Sequence, residues 1–144
     1  MKWKRDNFLI TDDKESVDIE FVVTALQSSY WAQNRPREVI EKSIRTSAFL
    51  SLFDGRRQIG FNRMVSDEAT FCWLCDLYID PEYRGRGLGK WLFKCTLEHP
   101  STRVHIVLLA TRDAHELYER YGFYRKECMV VANEPGDGNN RSEN

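Results

Sequence analysis

Gly85, Gly87 and Gly89 alternate with Arg84, Arg86, Leu88 and Lys90. A glycine leaves the neighbouring peptide N–H uncovered, and a helix start leaves its first four N–H groups without partners inside the helix. Both features meet here, because an apolar face spaced i, i+3, i+4, i+7 begins at Leu88 and runs through Trp91, Leu92 and Cys95. Bare amides, the positive end of a helix dipole and mobile cations all favour negative charge. The chemistry this run offers is a cradle for phosphate or pyrophosphate. Two other readings stay open on the loop alone. One is a helix start that merely needs tight turns. The other is a dinucleotide fingerprint, which wants G-x-G-x-x-G and an acidic residue about 20 positions on. This chain has G-x-G-x-G, and near residue 110 it offers Thr111 and Arg112 before Asp113. The G-x-x-x-x-G-K-[ST] phosphate loop is absent.

Asp76 and the pair Cys72 and Cys75 are the other side chains with chemical potential, and all sit in one apolar run, 70–79. A carboxylate buried there would have its pKa raised toward that of a useful base; the alternative is a carboxylate satisfied by an arginine. Glu82 is a weaker candidate because it lies in the turn after Pro81. The C-x-x-C spacing resembles a redox or zinc motif, but residues i and i+3 of a strand point to opposite faces. A redox pair would sit at a helix N-terminus, and zinc would need a second ligand pair that Cys95 and Cys128 do not supply. Buried free thiols in a reducing compartment are the better account, and no metal site is expected.

The elements that must position these residues read as follows. A short strand at 8–10 precedes a helix over 18–28, with Ile19, Val22, Val23 and Leu26 on one face and Asp18 or Ser16 as cap. A helix over 36–47 has Pro36 at its first position. Strands at 48–53 and 58–65 flank the Asp54-Gly55 hairpin turn, with Ile59, Phe61, Arg63 and Val65 on one face. The 70–79 strand, stopped by Pro81, leads through the glycine loop into the helix beginning at Leu88. A fifth strand at 104–109 follows, and strand–helix–strand implies a parallel crossover. Asp113 and Glu116 form an Asp-type capping box for the last helix, whose buried side is Ala114, Leu117, Tyr118 and Tyr121, ended by Gly122. One or two closing strands are expected at 123–124 and 128–131.

The chain, 144 residues with 42% hydrophobic content, is long enough for one domain with a real core. We expect that domain over 1–132 and a disordered tail over 133–144, which carries no apolar anchor. With 21 basic and 22 acidic residues the balance argues against a nucleic-acid binder. No apolar run reaches the ~18 residues of a membrane span, and no signal peptide is evident. A cytoplasmic protein is the expectation, with a homodimer left open.

Two motifs extend this reading. Arg84-Gly85-Arg86-Gly87-Leu88-Gly89 fits R/Q-x-x-G-x-G/A, and Ala114-His115-Glu116-Leu117-Tyr118-Glu119-Arg120-Tyr121-Gly122-Phe123 resembles A-x-x-L-Y-x-x-x-G-F. These are signatures of the GNAT superfamily of acyl-CoA-dependent N-acetyltransferases, and the resemblance covers residues 7–131. It implies an α/β fold with a mixed sheet of about six to seven strands and about four helices. It implies acetyl-CoA as co-substrate and a small-molecule or peptide amine as acceptor. It places the pyrophosphate on the amides of Arg84, Gly85, Arg86, Gly87, Leu88, Gly89 and Lys90, and the pantetheine along Leu77, Tyr78 and Ile79. It places the cofactor near Thr111, Ala114 and Tyr118, in a gap where the fourth and fifth of those strands splay. Thr111 stands where many members carry an asparagine.

Acetyl transfer to an amine needs a held pyrophosphate, a neutral nucleophile and a stabilised leaving thiolate. An alkyl amine of pKa ~10.4 is on the order of 0.1% neutral at pH 7, which costs about 4–5 kcal/mol. Asp76 is the candidate base. The resemblance makes Tyr118 the acid for the thiolate, although periodicity alone would make it a core tyrosine. His115 reads as a solvated first-turn residue. Cys75 could in principle carry the acetyl group, but it has no evident base partner. Tyr30, Trp31 and Trp73, with Arg35 and Phe71, could line an acceptor pocket that would suit a flat or hydrophobic amine rather than a small acidic one; the alternative is simple core packing. The competing class is a non-catalytic acyl-CoA binding or sensing module on the same fold.

Overall fold

The computed structural model describes residues 1–133, so the tail expected over 133–144 lies outside the described residues except for Asn133. Six strands form one sheet in sequence order: β1 (Lys2–Arg5), β2 (Phe8–Thr11), β3 (Ala48–Asp54), β4 (Arg57–Ser66), β5 (Phe71–Ile79) and β6 (Ile106–Leu109). Neighbours are antiparallel except β5 and β6, which are parallel and joined through helix α3 (Leu88–Glu98). Helices α1 (Ile19–Gln27) and α2 (Arg37–Thr46) cover one face. Val22, Leu26, Ile40 and Ile44 pack there against Phe49 and Phe61. On the other face Leu88, Leu92, Phe93 and Cys95 of α3 pack on Ile10, Leu50, Leu52, Met64 and Leu74. The short α4 (His115–Glu119) joins that side, its Tyr118 and the following Tyr121 meeting Phe93 edge-on at 5.1 and 5.0 Å.

Several elements form where their sequence signals lie. Asp18 Oδ1 accepts from the Phe21 amide at 3.1 Å and so caps α1. Gly55 in the β3–β4 turn has φ +57, which its missing Cβ permits. Other expectations are corrected. β1 carries no strand signal in the sequence: Lys2, Lys4 and Arg5 mask it, being charges suited to an edge strand. Pro36 is the N-cap of α2 rather than its first helical residue. Ile59 does not share a face with Phe61. The register shifts beside Leu52, so Ile59 has no strand partner of its own and packs on the α3 side, while Phe61 packs toward α1. The capping box at Asp113 does not form: Ala114 is the N-cap of α4, and the Thr111 hydroxyl accepts from the Ala114 amide at 3.0 Å. No strand forms at 123–124 or 128–131 among the described residues, and Met129 is 99% exposed. No described helix is long and apolar enough to cross a membrane.

Candidate active site

β6 pairs with β5 only from Phe71 to Leu74. Beyond that, residues 75–79 of β5 keep β4 on one side and have no strand on the other. A bulge lies at the parting. Arg63 stands opposite Cys75 and Phe61 opposite Tyr78, so Asp76 and Leu77 together face Asn62. Asp76 takes φ +53, in the left-handed region that aspartate tolerates better than most residues. The alternation of side chains is broken there, and Asp76 turns toward the connection between α1 and α2 that carries Trp31 and Arg35.

The glycine loop closes one end of the gap. Gly85 and Gly87 have φ +80 and +75, and nothing lies within 4 Å of where a Cβ would stand at either. Backbone conformation, and not crowding, requires glycine at both. Gly87 is the N-cap of α3 and carries no side chain to cap it; the first helical bond runs from the Trp91 amide to the Gly87 carbonyl at 3.1 Å. The amides of Leu88, Gly89 and Lys90 therefore precede the helical ladder. Arg84 donates from Nε to the Ile79 carbonyl at 2.9 Å and lies over the Tyr78 ring. Arg86 lies 5.2 Å over the Tyr83 ring, and Lys90 is exposed. This donor set, with its three cations, fits a diphosphate.

Between loop, β5 and α4 lies a cleft of about 640 Å³. It brings together Leu77, Tyr78, Ile79, Arg84, Gly85, Gly87, Leu88, Gly89, Lys90, Tyr118 and Trp31, all expected at the site. Arg86, Asp76, Thr111, Ala114, Tyr30 and Trp73 stand outside its lining, as does Arg35, which reaches it through the Asp76 carboxylate shared with Trp31. Tyr83, Phe93, Leu117 and Tyr121 are added to it. Leu117 and Tyr121 share the helical face that marked Tyr118, so periodicity could have found them; Phe93 falls off the i, i+3, i+4, i+7 stripe of α3. Burial raises the Tyr118 pKa, helped by the Asp113 charge and by Tyr30, so the phenol keeps its proton at neutral pH.

Asp76 does not have the raised pKa expected of a base. Burial pushes it up, but the Arg63 and Arg35 charges and hydrogen bonds outweigh burial and hold it below the ordinary carboxylate value. Arg63 Nε and Arg35 Nη1 both donate to Oδ2, at 2.8 and 2.9 Å, and Trp31 Nε1 donates to Oδ1 at 3.1 Å. The arrangement is the arginine-satisfied alternative. Trp31 also meets Tyr30 edge-on at 5.3 Å, and the Arg112 guanidinium lies 4.3 Å over the Tyr30 ring. That contact joins the loop after β6 to the segment after α1.

The cysteines are free. Cys72 is fully buried on the α3 side, and burial pushes the Cys72 and Cys75 thiols up to about 11. Among the described residues no group of three or more His, Cys, Asp or Glu could hold a metal ion.

A family model described as an acetyltransferase (GNAT) domain matches residues 45–125. The crystal structure of a Xanthomonas campestris protein, described as a candidate acetyltransferase of the GNAT family, superposes with a TM-score of 0.83 at 34% identity. It covers 90% of this chain and 94% of that one. A candidate acetyltransferase of Gibberella zeae is 28% identical over 138 residues, 81% of this chain and 78% of its own. At 14% identity a Mycobacterium tuberculosis protein solved in complex with CoA shares the fold, with a TM-score of 0.66 over 85% of this chain and 75% of that one.

Proposed function

Because the chain belongs to the GNAT family of acetyltransferases, we propose that it moves an acetyl group from acetyl-CoA directly to the amine of a small-molecule or peptide acceptor, with both substrates bound at once. The observation that carries this reading is the uncapped start of α3 opening into the same cleft as the unpaired side of β5 and the Tyr118 side chain. When bound there, the co-substrate supplies an activated thioester.

The amides of residues 87–90 hold the diphosphate, and Arg84, Arg86 and Lys90 add positive charge around it. The unpaired backbone of 75–79 receives the pantetheine as a strand edge would. Tyr118 gives its phenol proton to the sulfur as the carbon–sulfur bond breaks and the carbon–nitrogen bond forms, and the proton that the attacking nitrogen then loses restores the phenol. Asp76 is a positioning residue: its carboxylate fixes Arg35, Arg63 and Trp31 beside the bulge. The ammonium proton goes to water before attack. Thr111 holds the start of α4 through Ala114 and keeps its own hydroxyl hydrogen for the pantetheine. The free thiols fit a cytoplasmic setting.

The test is thiol release from acetyl-CoA with a panel of amines, paired with thermal protection by CoA. Turnover on some amine together with a raised Tm in millimolar CoA supports the reading. Protection without thiol release on any amine assigns the chain to acyl-CoA sensing instead. Absence of protection overturns the placement of the diphosphate.

A further inference from the structure

The Asp76 cluster is unbalanced in charge. Two guanidiniums share one carboxylate oxygen, Oδ2, and leave one positive charge over. The carboxylate is 2% exposed, and the Arg35 and Arg63 side chains are 15% and 16% exposed. Water therefore screens the excess only weakly. The two arginines are not equally engaged. Arg63 also donates from Nη1 to the Ser47 hydroxyl at 3.1 Å. For Arg35 the Asp76 oxygen is the one acceptor of its guanidinium among the described residues, against five N–H donors. Arg35 and Trp31 hold the same carboxylate, and Trp31 is cleft wall. Arg112 stands over Tyr30, whose ring meets Trp31 edge-on. Beyond Asp76, the carboxylate whose charge reaches this end of the cleft is Asp113, which acts on Tyr118.

A simple ammonium ion entering this end would meet net positive charge on a low-dielectric wall. A molecule bearing a negative group as well as its amine would instead find donors that have no other acceptor. We infer that the acceptor amine carries an anionic group, a carboxylate or a phosphate, seated against Arg35 at the Trp31 side of the cleft. This rests on the acetyltransferase reading and sharpens it to a substrate class.

Matched sets of primary amines test the inference, each set sharing one skeleton and ending in hydroxyl, carboxylate or phosphate. For the wild-type enzyme, kcat/KM is expected to be at least about tenfold higher for an anionic member than for its hydroxyl partner, the size of a charge-assisted hydrogen bond. The carboxylate and phosphate arms show which anion the site takes. Arg35→Gln should lower that ratio to within about threefold, through KM for the anionic member, while the KM for acetyl-CoA stays within about twofold. Arg35→Lys should restore part of the ratio. If the Arg35 variants do not fold, the wild-type ratio read against salt serves: screening should shrink it toward one. Equal kcat/KM across every matched set, or a preference for the hydroxyl members, overturns the inference and leaves the acetyltransferase reading standing. CoA binding with no thiol release on any member fails that reading first, and this one with it.

Discussion

Two places in the molecule gather donors for negative charge, and they are built in opposite ways. At the start of α3 the donors are backbone amides of consecutive residues, presented by glycines at φ +80 and +75, with no side-chain cap. At the bulge the donors are side chains, Arg35 from the segment after α1 and Arg63 from β4, fixed by Asp76 of β5. The first place is local: its shape follows from one short run and costs little beyond backbone entropy. The second exists only once the sheet and the α1 side have come together, and it holds ionised groups out of water. A local cradle fails gradually when altered, whereas a buried charge cluster fails steeply when one member is removed.

Asp76→Ala should therefore give the largest effect on stability. It leaves two mostly buried guanidiniums without their carboxylate, for which about 3–5 kcal/mol is expected. On a domain of this size that lowers Tm by on the order of 10 °C, read by thermal melting. The pH dependence has a fixed sign. The folded-state pKa of Asp76 is lowered, so its contribution is present above the unfolded value near 4 and is lost as pH falls through the folded value. Asp76→Asn should flatten that part of the acid limb. An Asp76→Ala protein as stable as the wild type would erase the contrast between the two places.

Tyr118 lines the cleft, and Tyr118→Phe should lower kcat by about 100-fold or more if the phenol protonates the leaving sulfur. CoA affinity should stay within about twofold, because the ring contacts with Phe93 and Phe123 survive the change. A loss seen only in CoA binding would make Tyr118 a packing residue and hand the protonation to solvent.

The contrast also explains what was legible before folding. The glycine loop, α3 and the Tyr118 helix could be read because the signals of each lie within one short run, and the parallel crossover followed from the order strand, helix, strand. The bulge could not. Nothing in the sequence around Asp76 tells that Arg35, 41 positions away, and Arg63, 13 positions away, converge on it. The two readings of Asp76 stay open in the sequence for that reason: its burial is legible there, and which arginines would compensate it is not. Ile59 went to the unexpected face because one shifted register reverses a period-two pattern. The expected strand at 128–131 reflects strong β propensity, Met129, Val130 and Val131, that finds no partner among the described residues.

Gly87→Ala probes the local place, with a smaller effect. A Cβ at φ +75 costs about 1–2 kcal/mol, and open space around it offers no clash to add. The chain can hold the loop and lose that stability, or relax the loop and turn the amides away. Calorimetry should show CoA affinity reduced by up to about 5–30-fold, with Tm changed by only a few degrees. A larger fall in Tm than that of Asp76→Ala would reverse the ranking of the two places.

The smallest expected effect is at Cys75, which neighbours the bulge and is the one thiol near the reaction point that could compete with direct attack. Its thiol is pushed up to about 11 by burial, with the Arg63 charge working the other way and Asp76 adding to the rise. At pH 7 that leaves on the order of 0.01% thiolate, too little to accept an acetyl group at a useful rate without a base. Its sulfur instead lies 3.7 Å from the Arg63 carbonyl, a weak contact across the β4–β5 pair. Cys75→Ala should keep kcat within about twofold, and acetyl-CoA mixed with the wild-type enzyme in the absence of acceptor should give no burst of thiol. A stoichiometric burst that disappears in Cys75→Ala would replace direct attack with an acetyl-enzyme, and the positive cluster beside it would then serve to activate that sulfur.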